Sequence, residues 1–257
     1  MAAKTVKRKT LLFAAMWNVR SLVENSGDIR VCRVSRSAAP AGSAGVDRKL
    51  DFLVEELAKY RVDVAGLQET KWFGSDVWPV GKNCTLLHSG RPVPGPEQPC
   101  QRNEGVGIFL NARLTAAWKR GGQQWQAVSS HVVTARLLVG AAGERLPHGG
   151  KQQSDFFLSV VSVYAPTSRA TYSVKSQFMA DLEHAIEQVA SNDVLLVLGD
   201  FNARVGFRPA PRNEVEELSR VNGVHDGQSK WGQVLGRFGL GVCNQAGGDL
   251  LLFCTSH

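Results

Sequence analysis

Twice in this chain an amphipathic helical segment runs straight into an aliphatic stretch that ends in an acid. "YRVDVAGLQET" follows the segment 47–60, and "SNDVLLVLGDFN" follows the segment 173–190. In the first segment Leu50, Leu53, Val54 and Leu57 fall on one helical face; in the second Val174, Phe178, Leu182, Ala185, Ile186 and Val189 do the same. A helix with one face to bury, followed at once by a strand apolar on both faces, satisfies both elements as a layer, with the strand inside a sheet and the helix lying over it. Further apolar runs of strand length occur at Leu11–Val19, Val106–Leu110, Val132–Val139 and Phe156–Tyr164, beside Val62–Leu67 and Val194–Leu198 of the two units above. The pattern predicts an α/β layered core in one large domain over 11–257, preceded by a basic tail over 1–10. Low-complexity insertions near 26–46, 88–104 and 140–154 read as surface loops. The closing "GGDLLLFCTSH" reads as the opening of a helix.

Several function classes are excluded at this level. No apolar run approaches the ~20 residues of a membrane-spanning helix. The seven residues from Leu11 to Trp17 are short for a secretory leader and read as a buried first strand. Of the net charge of +7, four positive charges sit in the tail as Lys4, Lys7, Arg8 and Lys9, an excess that suits a polyanion. The five cysteines, Cys32, Cys84, Cys100, Cys243 and Cys254, show no short paired spacing and read as reduced intracellular thiols.

The chemistry gathers at strand ends. On a strand continuing past Gly199, Asp200 and Asn202 would share a face, since side chains alternate with period two. The alternative is a turn, because both residues favour turns and Gly199 and Gly206 flank them. Glu69 follows the strand "VAGLQ", Asn18 follows the first strand, and Tyr164 closes "VVSVY". Asparagine, glutamate, tyrosine and Asp-x-Asn form an oxygen-donor set without a cysteine or histidine cluster, which suits Mg²⁺ or Mn²⁺ rather than zinc. Arg20, Lys71 and Arg204 stand beside these residues, where they can meet phosphates. His88, His131, His148, His184 and His225 read as solvated loop or surface residues.

The ordered set "WNVRSL", "LQETKW", "GVGIFL", "VVSVYAPT" and "LGDFNARVG" resembles the endonuclease/exonuclease/phosphatase superfamily. Within it the set is most similar to endonuclease domains of LINE-type (non-LTR) retrotransposons and to the craniofacial development protein 2-like proteins derived from them. The stretch from Trp231 onward resembles a decayed form of the family's glycine-rich segment with its Asn-x-x-Gly and following helix. The resemblance implies a deoxyribonuclease I-like sandwich, four layers made of two mostly antiparallel β-sheets flanked by helices. It also implies Mg²⁺- or Mn²⁺-dependent nicking of DNA. Glu69 would be the principal metal ligand with Asn18 close to the metal. Tyr164 would contact the scissile phosphate, Asp200 would handle the attacking water or the leaving oxygen, and Asn202 would hold a non-bridging oxygen. Arg20, Lys71 and Arg204 would touch DNA phosphates. A fused or partner reverse transcriptase in the parent element and a nuclear site of action follow from the same resemblance.

Family chains continue with further strands, another aspartate and a Ser-Asp-His, and neither motif stands here; His257 aligns instead with the late helix. The expectation is a fold missing its last strands, with open sheet edges that invite aggregation or a covering partner. Two alternatives to the endonuclease therefore stand beside it: a catalytically dead remnant serving as a binding module, and a phosphatase of the same superfamily.

Overall fold

The computed structural model describes residues 11–22, 48–94, 104–143, 150, 154–206, 234–235 and 241–257, and among these nine stretches are strands and four are helices. In chain order they are β1 (Ala14–Asn18), α1 (Arg48–Lys59), β2 (Val64–Gln68), β3 (Ser75–Val80), β4 (Cys84–Ser89), β5 (Val106–Leu110), α2 (Ala112–Arg120), β6 (Trp125–Ser129), β7 (Val132–Gly140), β8 (Phe156–Tyr164), α3 (Tyr172–Glu187), β9 (Val194–Asp200) and α4 (Gln245–Ser256). They divide into two units: Met1–Ala165 with Thr171–Asp200, and Pro166–Ala170 with Phe201–His257.

The first unit holds two mixed sheets. One has the order β1-β2-β5-β4-β3 and the other β6-β7-β8-β9. β1 pairs with β2, and β8 with β9, in parallel; every other pairing is antiparallel. Each parallel pair is joined through a helix, α1 for the first and α3 for the second, because parallel neighbours need a long crossover. The predicted mixture of strands and crossover helices is thus the architecture.

Two hydrophobic clusters hold it. Between the sheets, Val64, Val106, Ile108 and Leu110 meet Val133, Ala135, Leu137, Leu158 and Val160, and α2 adds Leu114, Ala117 and Trp118. On the outer face of the first sheet, Leu50, Leu53 and Leu57 of α1 cover Ala65, Leu67, Trp78, Leu86 and Phe109. Each of these leucines is almost completely buried, worth ~2 kcal/mol apiece, so a charge at Leu53 would undo the attachment of α1. α3 buries Phe178, Leu182 and Ala185 and packs on β6, β7 and β8.

Asp63, in the "VDV" before β2, ties the far end of the first sheet. Its carboxylate accepts from the Phe13 N–H (2.9 Å), from Asn111 Nδ2 (2.7 Å) and from the Arg113 guanidinium (2.8 Å). Burial pushes such a carboxyl up, but these donors outweigh it and hold Asp63 below the ordinary carboxylate range. Asn111 also caps α2, its Oδ1 accepting from Leu114 N at 3.0 Å.

Some expectations need correcting. β1 is expected as a buried first strand and β9 as a strand buried on both faces, yet among the described residues each has a strand neighbour on one side only. Met16 is 61% and Val194 47% exposed. Their aliphatic composition reflects propensity and one covered face rather than complete burial. His88 is no loop residue either. It lies in β4, 1% exposed, against the rings of Trp72 and Trp78, so that strand takes the start of the expected 88–104 loop. Burial lowers the His88 pKa to about 4, against a smaller upward pull from Asp76. Of the other expected loops, residues 26–46, 95–103, 144–149 and 151–153 lie outside the described residues, as do His148 and His225, Cys32 and Cys100, and the tail over 1–10.

The second unit is organised by the cap of α4. Asn244 Oδ1 accepts from Gly247 N (2.8 Å) and from Arg204 N (3.0 Å), and the Asn244 N–H returns to Arg204 O at 3.0 Å. A Cβ at position 247 would lie 1.9 Å from Arg204 O, so only glycine fits there. The late Asn-x-x-Gly thus clasps the segment after β9 to the start of a helix. Cys84, Cys243 and Cys254 are free thiols. No described helix is long and apolar enough to cross a membrane.

Candidate active site

Side chains from four strand ends of the first unit meet at one edge. β1 and β2 run parallel with Asn18 opposite Gln68, and β8 and β9 run parallel with Tyr164 opposite Asp200. β1 and β2 pack against β9, and β2 against β8, across the two sheets, which brings the last residues of both pairs together. Gly66 makes this approach possible, since a Cβ there would stand 3.0 Å from Leu198 Cβ and from Ser162 Oγ.

Asn18 is the centre of the cluster. Its Nδ2 donates to Glu69 Oε1 at 2.7 Å and to Asp200 Oδ2 at 3.3 Å, and its Oδ1 accepts from Arg20 N at 3.1 Å. One amide therefore spaces two carboxylates and is itself oriented by the chain two residues on. The Tyr164 hydroxyl donates to Glu69 Oε1 at 3.3 Å, while Lys71 Nζ lies 3.6 Å from Glu69 Oε2. The two oxygens of Glu69 are thus divided between neutral donors and one cation.

Backbone geometry explains how Glu69 reaches this cluster. If β2 simply continued, Glu69 would share the face of Ala65 and Leu67, which packs under α1. Its φ of 57° breaks the alternation and carries the carboxylate to the Asn18 side. Four of the eight described non-glycine residues with positive φ, namely Arg20, Ser21, Glu69 and Lys71, lie just past β1 and β2. Each such conformation costs roughly 1–3 kcal/mol, and the four lie at the edge where the cluster forms.

The sequence-derived candidates divide as follows. Asn18, Glu69, Tyr164 and Asp200 come together, with Lys71 on Glu69 and Arg20 bonded through its backbone to Asn18. Asn202 and Arg204 belong to the second unit. β9 ends at Asp200 and Asn202 has φ 48°, so the strand does not continue and the shared face expected for the two residues does not arise. His131, read as solvated, is half-buried between β6 and β7 and bonds to the Tyr164 carbonyl. Nothing in its sequence context singled it out.

Whether this cluster suits a divalent cation is a question about its donors. Glu69 and Asp200 offer two carboxylates within reach of a single amide nitrogen, and no group of three or more histidine, cysteine or acidic residues poised for a metal occurs among the described residues. An all-oxygen set with few protein ligands fits a hard ion that keeps most of its water, and does not fit zinc. Asn18 turns its nitrogen to the carboxylates and its oxygen to Arg20 N, so it serves as the spacer beside such an ion rather than as a ligand in this arrangement.

Beneath the cluster, Gln68 and Ser162 are fully buried between the sheets, and both side-chain polar atoms of Gln68 and the Ser162 hydroxyl have no hydrogen-bond partner. Thr70 Oγ1, just past Glu69, is in the same position.

The model of the endonuclease/exonuclease/phosphatase family matches residues 17–236, a span that begins one residue before Asn18 and includes Glu69, Tyr164, Asp200 and Asn202. The chain is similar to craniofacial development protein 2 of Bos taurus, 28% identical over 242 residues covering 93% of this chain and 33% of that protein. It is likewise similar to craniofacial development protein 2 of Tragulus javanicus, 27% identical over 244 residues covering 93% and 34% respectively. The chain thus spans about a third of the length of the curated relatives it matches.

Proposed function

We propose that this chain, which belongs to the endonuclease/exonuclease/phosphatase family and has its two-sheet α/β fold, is a divalent-metal-dependent phosphodiesterase that nicks DNA, of the LINE-type endonuclease class. The observation that supports the reading most is the Asn18 amide seated between Glu69 and Asp200, with the Tyr164 hydroxyl on the same Glu69 oxygen. A site of this make-up holds a cation and a phosphate side by side. The net charge of +7 and the basic tail favour a polyanionic substrate, and nuclear DNA is the corresponding target.

Glu69 would hold Mg²⁺ or Mn²⁺, with Asp200 on the other side of the Asn18 amide. When bound, the ion supplies positive charge against the oxygens of the phosphate as negative charge builds up there. Asp200 orients the attacking water and takes its proton as the new P–O bond forms and the bond to the leaving oxygen breaks. Asn18 keeps the two carboxylates from repelling one another and fixes their separation. Tyr164 steadies Glu69 and presents its hydroxyl to the scissile phosphate. Arg20 and Lys71 position the strand without reading its sequence. Lys71, 3.6 Å from Glu69 Oε2, would offer its charge to a phosphate beside that carboxylate. Loss of a single such group lowers the rate by ~10²- to 10³-fold.

The test is conversion of supercoiled plasmid to nicked circle by the purified chain, in Mg²⁺ and in EDTA, with Glu69→Ala alongside. Nicking that needs both Mg²⁺ and Glu69 supports the reading. A folded chain that does not nick would move the function to a binding module built on a silent site. Nicking that survives Glu69→Ala would show that the assignment of the metal ligand is wrong.

A further inference from the structure

Next to the cluster lies a second set of polar groups. Arg91 forms a fork on Glu104, with Nε 2.8 Å from Oε2 and a terminal nitrogen 2.8 Å from Oε1. Glu104 Oε2 also accepts from Ser130 Oγ at 2.6 Å and lies 3.7 Å from His131 Nε2. On its other side the imidazole meets Tyr164: Nδ1 is 2.5 Å from the Tyr164 carbonyl oxygen, and Tyr164 N donates to His131 O at 2.9 Å. A carbonyl oxygen accepts only, so Nδ1 carries the hydrogen and the ring orientation is settled. Phe178 of α3 lies against the ring edge-on, the centroids 6.1 Å apart.

The acid in this set is held tightly. Burial alone would raise the Glu104 carboxyl, but Arg91, Ser130 and His131 together keep it below its ordinary value. The main chain of the same segment reaches the other part of the cluster, because Lys71 N donates to Glu104 O at 3.0 Å and Thr70 N to Gly105 O at 3.1 Å. One short segment therefore braces both the turn that carries Glu69 and, through an imidazole, the end of β8 that carries Tyr164.

We infer that His131, packed beside the Arg91–Glu104 pair, is a positioning residue that sets the placement of the Tyr164 hydroxyl against Glu69. The inference rests on the phosphodiesterase reading for its kinetic consequence, and on geometry alone for its structural one. The contacts described for the imidazole are to Glu104, Tyr164 and Phe178 rather than to Glu69 or Asp200, so it acts through the Tyr164 backbone. Partners of this kind beside a catalytic group are worth about 10- to 100-fold in activity.

The chain has three tyrosines, so ring-carbon NMR of ¹³C-tyrosine-labelled protein follows Tyr164 directly, its signal assigned with Tyr164→Phe. His131→Ala is expected to displace that signal and lower kcat for nicking about 10- to 100-fold, with KM little changed. His131→Asn, whose amide N–H reproduces the donor at Nδ1, is expected to restore both, and Glu104→Gln to displace the signal with the segment intact. A Tyr164 signal unmoved by His131→Ala, or an asparagine variant no better than the alanine one, would overturn the inference. Should the parent chain not nick DNA, the phosphodiesterase reading falls, while the tyrosine signal still decides the role of His131. If His131→Ala does not fold, the comparison of His131→Asn with Glu104→Gln carries the decision, and displacement in neither variant overturns it.

Discussion

Replacing Asn18 by aspartate changes the charge logic of the cluster while hardly changing its volume. In the parent chain one nitrogen donates to Glu69 at 2.7 Å and to Asp200 at 3.3 Å. Hydrogen bonds to charged groups are worth ~1.5–3 kcal/mol each, and the longer one belongs at or below the lower end. Asn18→Asp loses both and sets a third carboxylate between two others. At ~4 Å and an effective dielectric of ~20, each like-charge contact is roughly 4 kcal/mol before relaxation. Water reaches the site, where the Glu69 side chain is 22% exposed, so much of that repulsion is screened. A net deficit of about 3 kcal/mol in EDTA at pH 7 is expected, which for a chain of this size lowers the thermal midpoint by about 6–12 °C. Divalent cation relieves the repulsion at pH 7, and the rise with Mg²⁺ should be larger in the variant than in the parent. Asn18→Ala, which loses the donors without adding charge, should show a smaller deficit. Scanning calorimetry of the three chains, each in EDTA and in Mg²⁺, decides the matter. Equal midpoints for Asn18→Asp and the parent in EDTA, or no extra gain from Mg²⁺, would refute the view of Asn18 as a spacer between two charged carboxylates.

Three further outcomes are expected. His88 has a folded pKa of about 4 against the ordinary 6.5, so the unfolded chain binds the extra proton between those values. Stability is then full above pH 6.5 and falls on the order of 3 kcal/mol as pH drops to 4; denaturant melts should show that slope, and His88→Leu should flatten it. Gln68→Met removes two buried polar atoms that have no partner, and should raise stability by ~1–2 kcal/mol; a loss would show that an internal water serves the amide. Asn244→Ala removes the acceptor shared by Gly247 N and Arg204 N, and should cost about 1 kcal/mol, read as faster hydrogen exchange of the first amides of α4.

Much of this arrangement is legible in the chain itself. The 3.6-residue spacing of Leu50, Leu53 and Leu57 and the aliphatic runs before Gln68 and Asp200 report local periodicity, and they mark α1, β2, α3 and β9 at nearly their observed bounds. Val106–Leu110 and Phe156–Tyr164 coincide with β5 and β8. β3, β4 and β6 escaped notice because their patterns are weak: Pro79 interrupts β3, His88 sits inside β4, and β6 is half-exposed along its length. α2 was missed too, although Asn111 at its cap and Lys119 and Arg120 in its last turn are a readable signature.

Asn18, Glu69, Tyr164 and Asp200 were identified as candidates because each follows an apolar strand, and strand ends in layered α/β folds collect chemistry. What the chain alone could not specify is the relation among them. That Asn18 turns its nitrogen to both carboxylates, that Lys71 sits on Glu69 and that His131 reaches Tyr164 depend on two sheets stacking, and on left-handed turns that reverse the direction of a side chain. The exposure of β1 and β9 was hidden for the same reason, since composition reports what a strand prefers but not which neighbour it has. Periodicity is a property of a few consecutive residues and survives in one dimension. Residues 18, 69, 164 and 200 become neighbours only when the sheets close, so their hydrogen bonds are decided by the tertiary structure.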